Sequence, residues 1–435
     1  MKFSKLALVA AIACGTYAGN VFADQSNDIR LVSCAAAACD CGAPVCGCDA
    51  APACCDNGCD NGCDSCCDSG CGLGLGGCGL GGCLSDLTGD CCLGDPYALF
   101  GECCGWSAGG WMQLGYTTDE LPAFNTYDDT MQLQQGWLFA EKAIDTRCGF
   151  DIGGRIDYVY GTDGPNTQAF GTSPRGWDNE WDNGGQYGHA IPQLYLEAGY
   201  GDLSVKVGHF YTIIGYEVVP ATGNFFYSHS YTFNFSEPFT HTGALATYNA
   251  SDDVTVWGGY TMGWNSGFDD NGDAFLGGFS LGVSDDLNVT YATTGGRFSE
   301  PWTGNGTTRG YQHSIVADYA VSDSVQYILQ SDYLDTDDVN GNKVLETFGV
   351  NQYLIKTIND CWAVGARFEW WNADVGAPRE ADLYALTLGV NHRPHANVIV
   401  RPEVRFDWDK DGLSGLLEDG AEDQTTFGVD TILTF

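Results

Sequence analysis

Side-chain alternation constrains this chain most tightly. In VIVRPEVRFDW, Val398, Val400, Pro402, Val404, Phe406 and Trp408 share one face of an extended strand, and Arg401, Glu403, Arg405 and Asp407 share the other, because successive strand side chains point to opposite sides. CWAVGARFEWW repeats the arrangement, with Trp362, Val364, Ala366, Phe368 and Trp370 opposite Arg367 and Glu369. FDIGGRIDYVY sets Phe150, Ile152, Ile156, Tyr158 and Tyr160 against Asp151, Arg155 and Asp157. Alternation by itself is compatible with a soluble β-sandwich, whose apolar face packs in a core while the charged face meets water.

The connections separate the two architectures. Short turns fall at Asp145–Cys148, Gly201–Asp202, Ala250–Asp253, Ser284–Asp286, Val321–Ser324, Thr357–Cys361 and Arg393–Asn397. Between them lie long ones at Thr117–Thr130, Gly161–Ala190, Thr212–Phe239, Asn265–Asp273, Phe298–Arg309, Asp335–Asn342, Ala373–Glu380 and Asp409–Ala421. Short and long alternate strictly, and seven plus eight connections join 16 strands, an even number that returns both ends to one side. Outer-membrane barrels have this rhythm of short periplasmic turns and long external loops, and a sandwich gives no reason for it. The expected fold is therefore all-β, a transmembrane antiparallel up-and-down barrel of about 16 strands spanning residues 106–435. Only alternate residues face lipid in such a barrel, so the modest overall hydropathy needs no other cause. Aromatic residues near strand ends, among them Trp111, Trp137, Tyr200, Trp264 and Trp408, are expected at the two interfacial girdles.

Both termini agree with export to the bacterial outer membrane. MKFSK, the apolar LALVAAIAC and the small-residue site VFA before Asp24 form a secretory signal peptide, residues 1–23. A lipoprotein signal ending at Cys14 is the alternative, but Ala11 suits it poorly. No later stretch approaches the ~20 consecutive apolar residues of a membrane helix. At the other end, Phe427, Val429, Thr431, Leu433 and Phe435 share one face, which puts the terminal phenylalanine on the lipid side of the closing strand. The pattern is similar to the terminal signal read by the outer-membrane assembly machinery, making that machinery and outer-membrane lipid the expected partners.

Composition sets a second unit apart. Residues 34–104 hold 18 of the 21 cysteines and ten acidic residues, with no Lys, Arg or His, whereas residues 105–435 carry 45 acidic against 15 basic side chains. The segment 24–105 is read as a periplasmic arm. Its repeat CDNGCDNGCDSCCDSGCG places Cys55, Cys59, Cys63, Cys67 and Cys71 at equal intervals, with Cys66 beside them. All-thiolate metal sites, for which Cys63 and Cys66 are suitably spaced, compete with disulfides; an exported compartment favours the latter. A core-poor, Gly-rich segment would take its order from such cross-links, within the chain or to neighbouring envelope components. Cys148 and Cys361 sit at short turns too far apart around the barrel to bond each other, since a disulfide needs Cα atoms ~4.4–6.8 Å apart. Their expected partners lie in residues 34–104 or in another chain; two free thiols are the alternative.

The third long connection differs from the rest. Thr212–Phe239 has two acidic residues, Glu217 and Glu237, but eight aromatics: Tyr216, Phe225, Phe226, Tyr227, Tyr231, Phe233, Phe235 and Phe239. Left in water these would forfeit ~1.5–3 kcal/mol each relative to burial, so the loop is expected to fold into the lumen and narrow it. A patch for contact between barrels is the other reading. An inserted loop would set Glu217, His229 and Glu237 against the lumen charges Arg155, Asp157, Arg367, Glu369, Arg401, Glu403, Arg405 and Asp407, with Asp151 also on the lumen side, as constriction residues or as paired wall charges. A mainly acidic lining favours cations.

The same region resembles the OmpL-like β-barrel porins through a glycine-rich strand, I-G-Y-E at Ile214–Glu217, N-F-F-Y-S-H-S at Asn224–Ser230 and P-F-T-H-T-G at Pro238–Gly243. The resemblance extends over residues 106–435 and implies a channel for small solutes, without naming the solute. No Walker loop, dinucleotide fingerprint or H-E-x-x-H occurs, and no enzymatic activity, cofactor or nucleic-acid partner is expected. The expected function is passive diffusion of small hydrophilic solutes or ions; its rival is a structural envelope protein, cross-linked or metal-bound through the Cys-rich segment. Association with further copies of the chain is left open.

Overall fold

The structure, a computed structural model, describes residue 91, residues 93–101 and residues 105–435 apart from 170–176, 179–184, 269–271, 300–306, 376–379, 411–413 and 418–419. The signal peptide and the repeat holding Cys55, Cys59, Cys63, Cys66, Cys67 and Cys71 lie outside these residues.

Each alternating stretch forms a strand. In chain order these are β1 (Trp106–Thr117), β2 (Gln132–Lys142), β3 (Phe150–Gly161), β4 (Gly188–Tyr200), β5 (Leu203–Tyr211), β6 (Thr240–Ser251), β7 (Val254–Thr261) and β8 (Asp273–Ser284). The second half comprises β9 (Leu287–Ser299), β10 (Thr307–Ser322), β11 (Val325–Asp337), β12 (Lys343–Asn359), β13 (Trp362–Asp374), β14 (Glu380–His395), β15 (Val398–Asp409) and β16 (Asp423–Thr434). Every strand pairs with its sequence neighbours, and β16 returns to β1, giving a closed antiparallel barrel. Closure leaves no edge with unpaired amides, which a membrane interior would penalise.

The faces fall as the alternation requires. On β15, Arg401, Glu403, Arg405 and Asp407 are buried inside, while the intervening apolar residues face out. Phe150, Ile152 and Ile156 on β3, and Phe427 and Leu433 on β16, are exposed to the surroundings of the barrel. Phe435 extends the last strand, exchanging two 2.9 Å backbone hydrogen bonds with Gly110 of β1.

The girdle assignment needs correction at three positions. Tyr200 and Trp408 are exposed on the outside, but Trp111, Trp137 and Trp264 are buried in the lumen. The reason is parity: Trp111 shares its face with Gln113 and Thr117, both buried, so nearness to a strand end was a poorer guide than face. Trp111 and Trp137 stack there at 4.6 Å.

The short-turn rim carries a covalent link. Cys361, between β12 and β13, is bonded to Cys91, with their Cα atoms 5.9 Å apart. Beyond that bond, Ala396 N donates to Leu93 O (2.9 Å), and Asn397 accepts from Tyr97 N (2.6 Å) and donates to Tyr97 O (2.7 Å). Cys91, Leu93 and Tyr97 thus lie against the turns on this rim. Cys148 is exposed at the turn between β2 and β3.

Candidate functional site

The eight aromatics of residues 212–239 go where their hydrophobicity sends them. The loop leaves β5, crosses the lumen and returns to β6, with every residue but Gly223 buried or partly buried. Phe233 and Phe239 stack at 4.8 Å and close on Phe124 from the first long connection. Ile214 packs among Phe210, Leu245, Leu276 and Ala292, on the strands β5, β6, β8 and β9 beside which the loop leaves the wall. The inserted loop is therefore packed against wall on two sides, and the reading of it as an outward contact patch does not fit this burial.

Polar groups set its path. Gly215 turns the chain at φ +89° with its Cα against the Glu237 carboxylate, where a Cβ would stand 2.1 Å from an oxygen. Glycine alone meets both demands. The Asn224 side chain then bridges Val218 N and O (2.9 and 2.5 Å), and Ser230 caps the helical turn Tyr231–Ser236 by accepting from Phe233 N (3.1 Å).

Opposite the loop, the charged face of β15 receives it residue by residue. Arg401 donates to Ala221 O (2.9 Å) and Asn224 O (2.6 Å), and Glu403 accepts from Tyr227 N (2.9 Å) and Ser228 N (3.0 Å). Next, Arg405 donates to His229 O (2.5 Å), and Asp407 accepts from Tyr231 Oη (2.8 Å). On β13, Glu369 takes Tyr231 N and Thr232 N, both 2.7 Å, and Arg367 donates to Ser228 O and Glu217 Oε1, both 2.6 Å. Alternation at period two thus presents a row of charges at the spacing that the loop's own amides and carbonyls can meet.

The ionic groups are largely compensated within this contact. Arg401 also pairs with Asp430 (2.5 Å) and Arg405 with Asp407 (2.9 Å). Burial disfavours ionisation of Glu217, but the Arg367 guanidinium, His229 (3.3 Å) and Ser230 N (2.9 Å) hold its carboxyl well below the usual range. Glu237 is the opposite case: burial, then the charges of Asp332 and Glu217, hold its carboxyl well above that range, and Gln330 donates to it.

Eight of the eleven charged or histidine residues expected at a constriction thus meet in one assembly: Glu217, His229, Arg367, Glu369, Arg401, Glu403, Arg405 and Asp407. Glu237 sits apart, against β11. Arg155 and Asp157 form a separate wall cluster, bonded to each other (2.6 Å), with Arg155 on Glu141 (2.8 Å) and Trp137 on Asp157 (3.0 Å). Asp151, also expected inside, pairs with Lys142 near the β2–β3 turn. All eleven are buried, so they face loop or wall and not open water. Asp430, Gln135 and Tyr353 were not anticipated: Asp430 completes Arg401, Gln135 accepts from Ala221 N (3.0 Å), and Tyr353 donates to Glu217 (3.1 Å). Parity alone would have found Asp430, which lies opposite the apolar face of β16.

On the short-turn side, a cavity of about 260 Å³ opens between the β8–β9 and β10–β11 turns, lined in part by Asp285, Asp286, Asp318 and Asp323. Burial, with the nearby charges of Asp285 and Asp323, raises the Asp286 carboxyl. Among the described residues, no group of three or more His, Cys, Asp or Glu is placed to hold a metal ion.

A family described as "Putative beta-barrel porin-2, OmpL-like" matches residues 105–435. No curated protein matches the chain. Solved structures similar to it include an anion-selective porin from Comamonas acidovorans (12% identity, TM-score 0.53, covering 76% of this chain and 99% of that one). OmpF of Salmonella typhi, in complex with daunomycin, aligns at 15% identity and TM-score 0.53 over 76% and 97% of the chains. The outer membrane channel DcaP of Acinetobacter baumannii does so at 11% and 0.51 over 78% and 100%. At these identities the likeness is one of fold.

Proposed function

The chain belongs to the OmpL-like family of β-barrel porins, which makes it an outer-membrane barrel of the channel-forming kind, and from that premise we propose that it passes small hydrophilic solutes by passive diffusion through a bore set by residues 212–239. The observation that carries this reading is the fastening of the inserted loop along β13 and β15. A loop held by buried ion pairs and backbone hydrogen bonds keeps a fixed cross-section, as a size filter requires.

Cation preference then belongs to the mouths, because the charges beneath the loop are buried and bonded to it or to one another. Net acidity of the long loops and the Asp285, Asp286 and Asp323 group would concentrate cations at the entrances. A zero-current potential across a planar bilayer, under a tenfold KCl gradient, tests it. The expected sign is that of a cation-preferring pore, decreasing as salt rises because screening shortens to ~3 Å at 1 M. Replacing Asp285, Asp286 and Asp323 by Asn should reduce it; an anion-preferring potential would refute the reading.

The rival, a structural envelope protein, draws support from the Cys91–Cys361 bond, which joins the Cys-rich segment to the rim. The two roles are compatible in one chain. We infer that the short-turn rim and the Cys-rich segment, residues 24–105, face the periplasm.

A further inference from the structure

A second polar assembly lies where the inserted loop meets β1, β2 and the first long connection. A small cavity of about 10 Å³ is lined there by Gln113, Asn125, Gln134, Asp163 and Tyr227, among others. Space of this size admits one water-sized particle. Five atoms on its lining have no hydrogen-bond partner among the described residues: Gln113 Oε1, Gln134 Oε1, Asp163 Oδ1, Asn125 Nδ2 and Tyr227 Oη. All five residues are buried.

The identities of the two amide oxygens are fixed by their other ends. Gln113 Nε2 donates to Asp430 (2.8 Å), and Gln134 Nε2 donates to Phe124 O (3.3 Å), both of which can only accept. Asp163 receives Gln135 Nε2 on its other oxygen (2.9 Å). Three acceptors thus face the space against two donors, the Asn125 amide and the Tyr227 hydroxyl. The Tyr227 hydroxyl stands beside Asn125 and Gln134 without a well-aligned bond to either. A cation can meet all three acceptors and balance the Asp163 carboxylate, which a water cannot do.

Charge points the same way. Arg401 on this lining is taken by Asp430 (2.9 and 2.5 Å), and His229 is directed at Glu217 (3.3 Å). No basic side chain among the described residues pairs with Asp163, and an uncompensated buried carboxylate is costly. One carboxylate calls for one positive charge. We propose that the cavity binds a single dehydrated monovalent cation of about sodium's size, through Gln113 Oε1, Gln134 Oε1 and Asp163 Oδ1, clipping the inserted loop to the β1–β2 wall. The proposal does not depend on the channel reading.

The test is thermal unfolding of the full mature chain in detergent, followed by tryptophan fluorescence, in NaCl against choline chloride at equal ionic strength and pH 8. Sodium should raise the midpoint saturably, by about 2 °C or more, and Asp163→Asn should abolish the rise. Equal midpoints in both salts would mean that the cavity holds only water and would overturn the proposal, as would a full sodium response in Asp163→Asn. Should that variant fail to fold, Gln113→Met keeps the carboxylate; the sodium concentration needed for half the rise should increase about tenfold, and an unchanged value would be equally fatal.

Discussion

Two glutamates of the inserted loop occupy opposite electrostatic situations. Glu217 is ionised against Arg367, so Glu217→Gln leaves a buried guanidinium without its counter-charge, a change that costs about 3–5 kcal/mol. Glu237, raised by burial and by Asp332, is replaced by a neutral amide in Glu237→Gln, and the expected change is under about 1 kcal/mol. Urea unfolding in lipid vesicles should separate the two variants. The signs with pH also differ. The Glu217 contribution, from a depressed folded-state value, is present above the ordinary glutamate value of 4.5 and fades as pH falls through the depressed one. For Glu237, whose folded-state value is raised, stability declines as pH climbs above 4.5, and Glu237→Gln should flatten that decline. Equal losses in the two variants would show that the Arg367 pairing is not what distinguishes them.

At the level of elements, every strand and turn was legible, because one physical rule governs both: side chains alternate, and apolar ones face lipid. The eight aromatics of residues 212–239 marked a loop unlike the other long ones, and all eight are buried or partly buried. What escaped was the partner of each charge. Alternation puts Arg401, Glu403, Arg405 and Asp407 inside, but pairing with loop amides depends on how residues 221–231 lie along β15, which no local pattern encodes. Trp111 and Trp137 were misjudged because position along a strand was read without its face. The wall also receives the loop through missing side chains: a Cβ at Gly365 on β13 would stand 2.4 Å from the Phe225 ring. Gly365→Leu should therefore displace the Phe225–Phe226 corner, seen as increased protease cutting within residues 212–239 while the barrel stays folded. Unchanged resistance would mean that this corner does not hold the loop.

The whole molecule is a closed wall, a loop bolted across its lumen and a covalent anchor on one rim. Closure and anchor are made by groups outside the loop: β16 pairs with β1 through strand backbone and Cys91 bonds to Cys361, while residues 212–239 pack on the inner faces of β1 and β16. The barrel should accordingly survive loss of the loop, and only its bore should change. Single-channel conductance in a planar bilayer, compared between the full chain and a variant lacking residues 225–235, tests this most directly. The account predicts discrete openings of the full chain and a clearly larger unit conductance in the shortened one. An unchanged conductance in a correctly folded variant, or no openings from either protein, would contradict it.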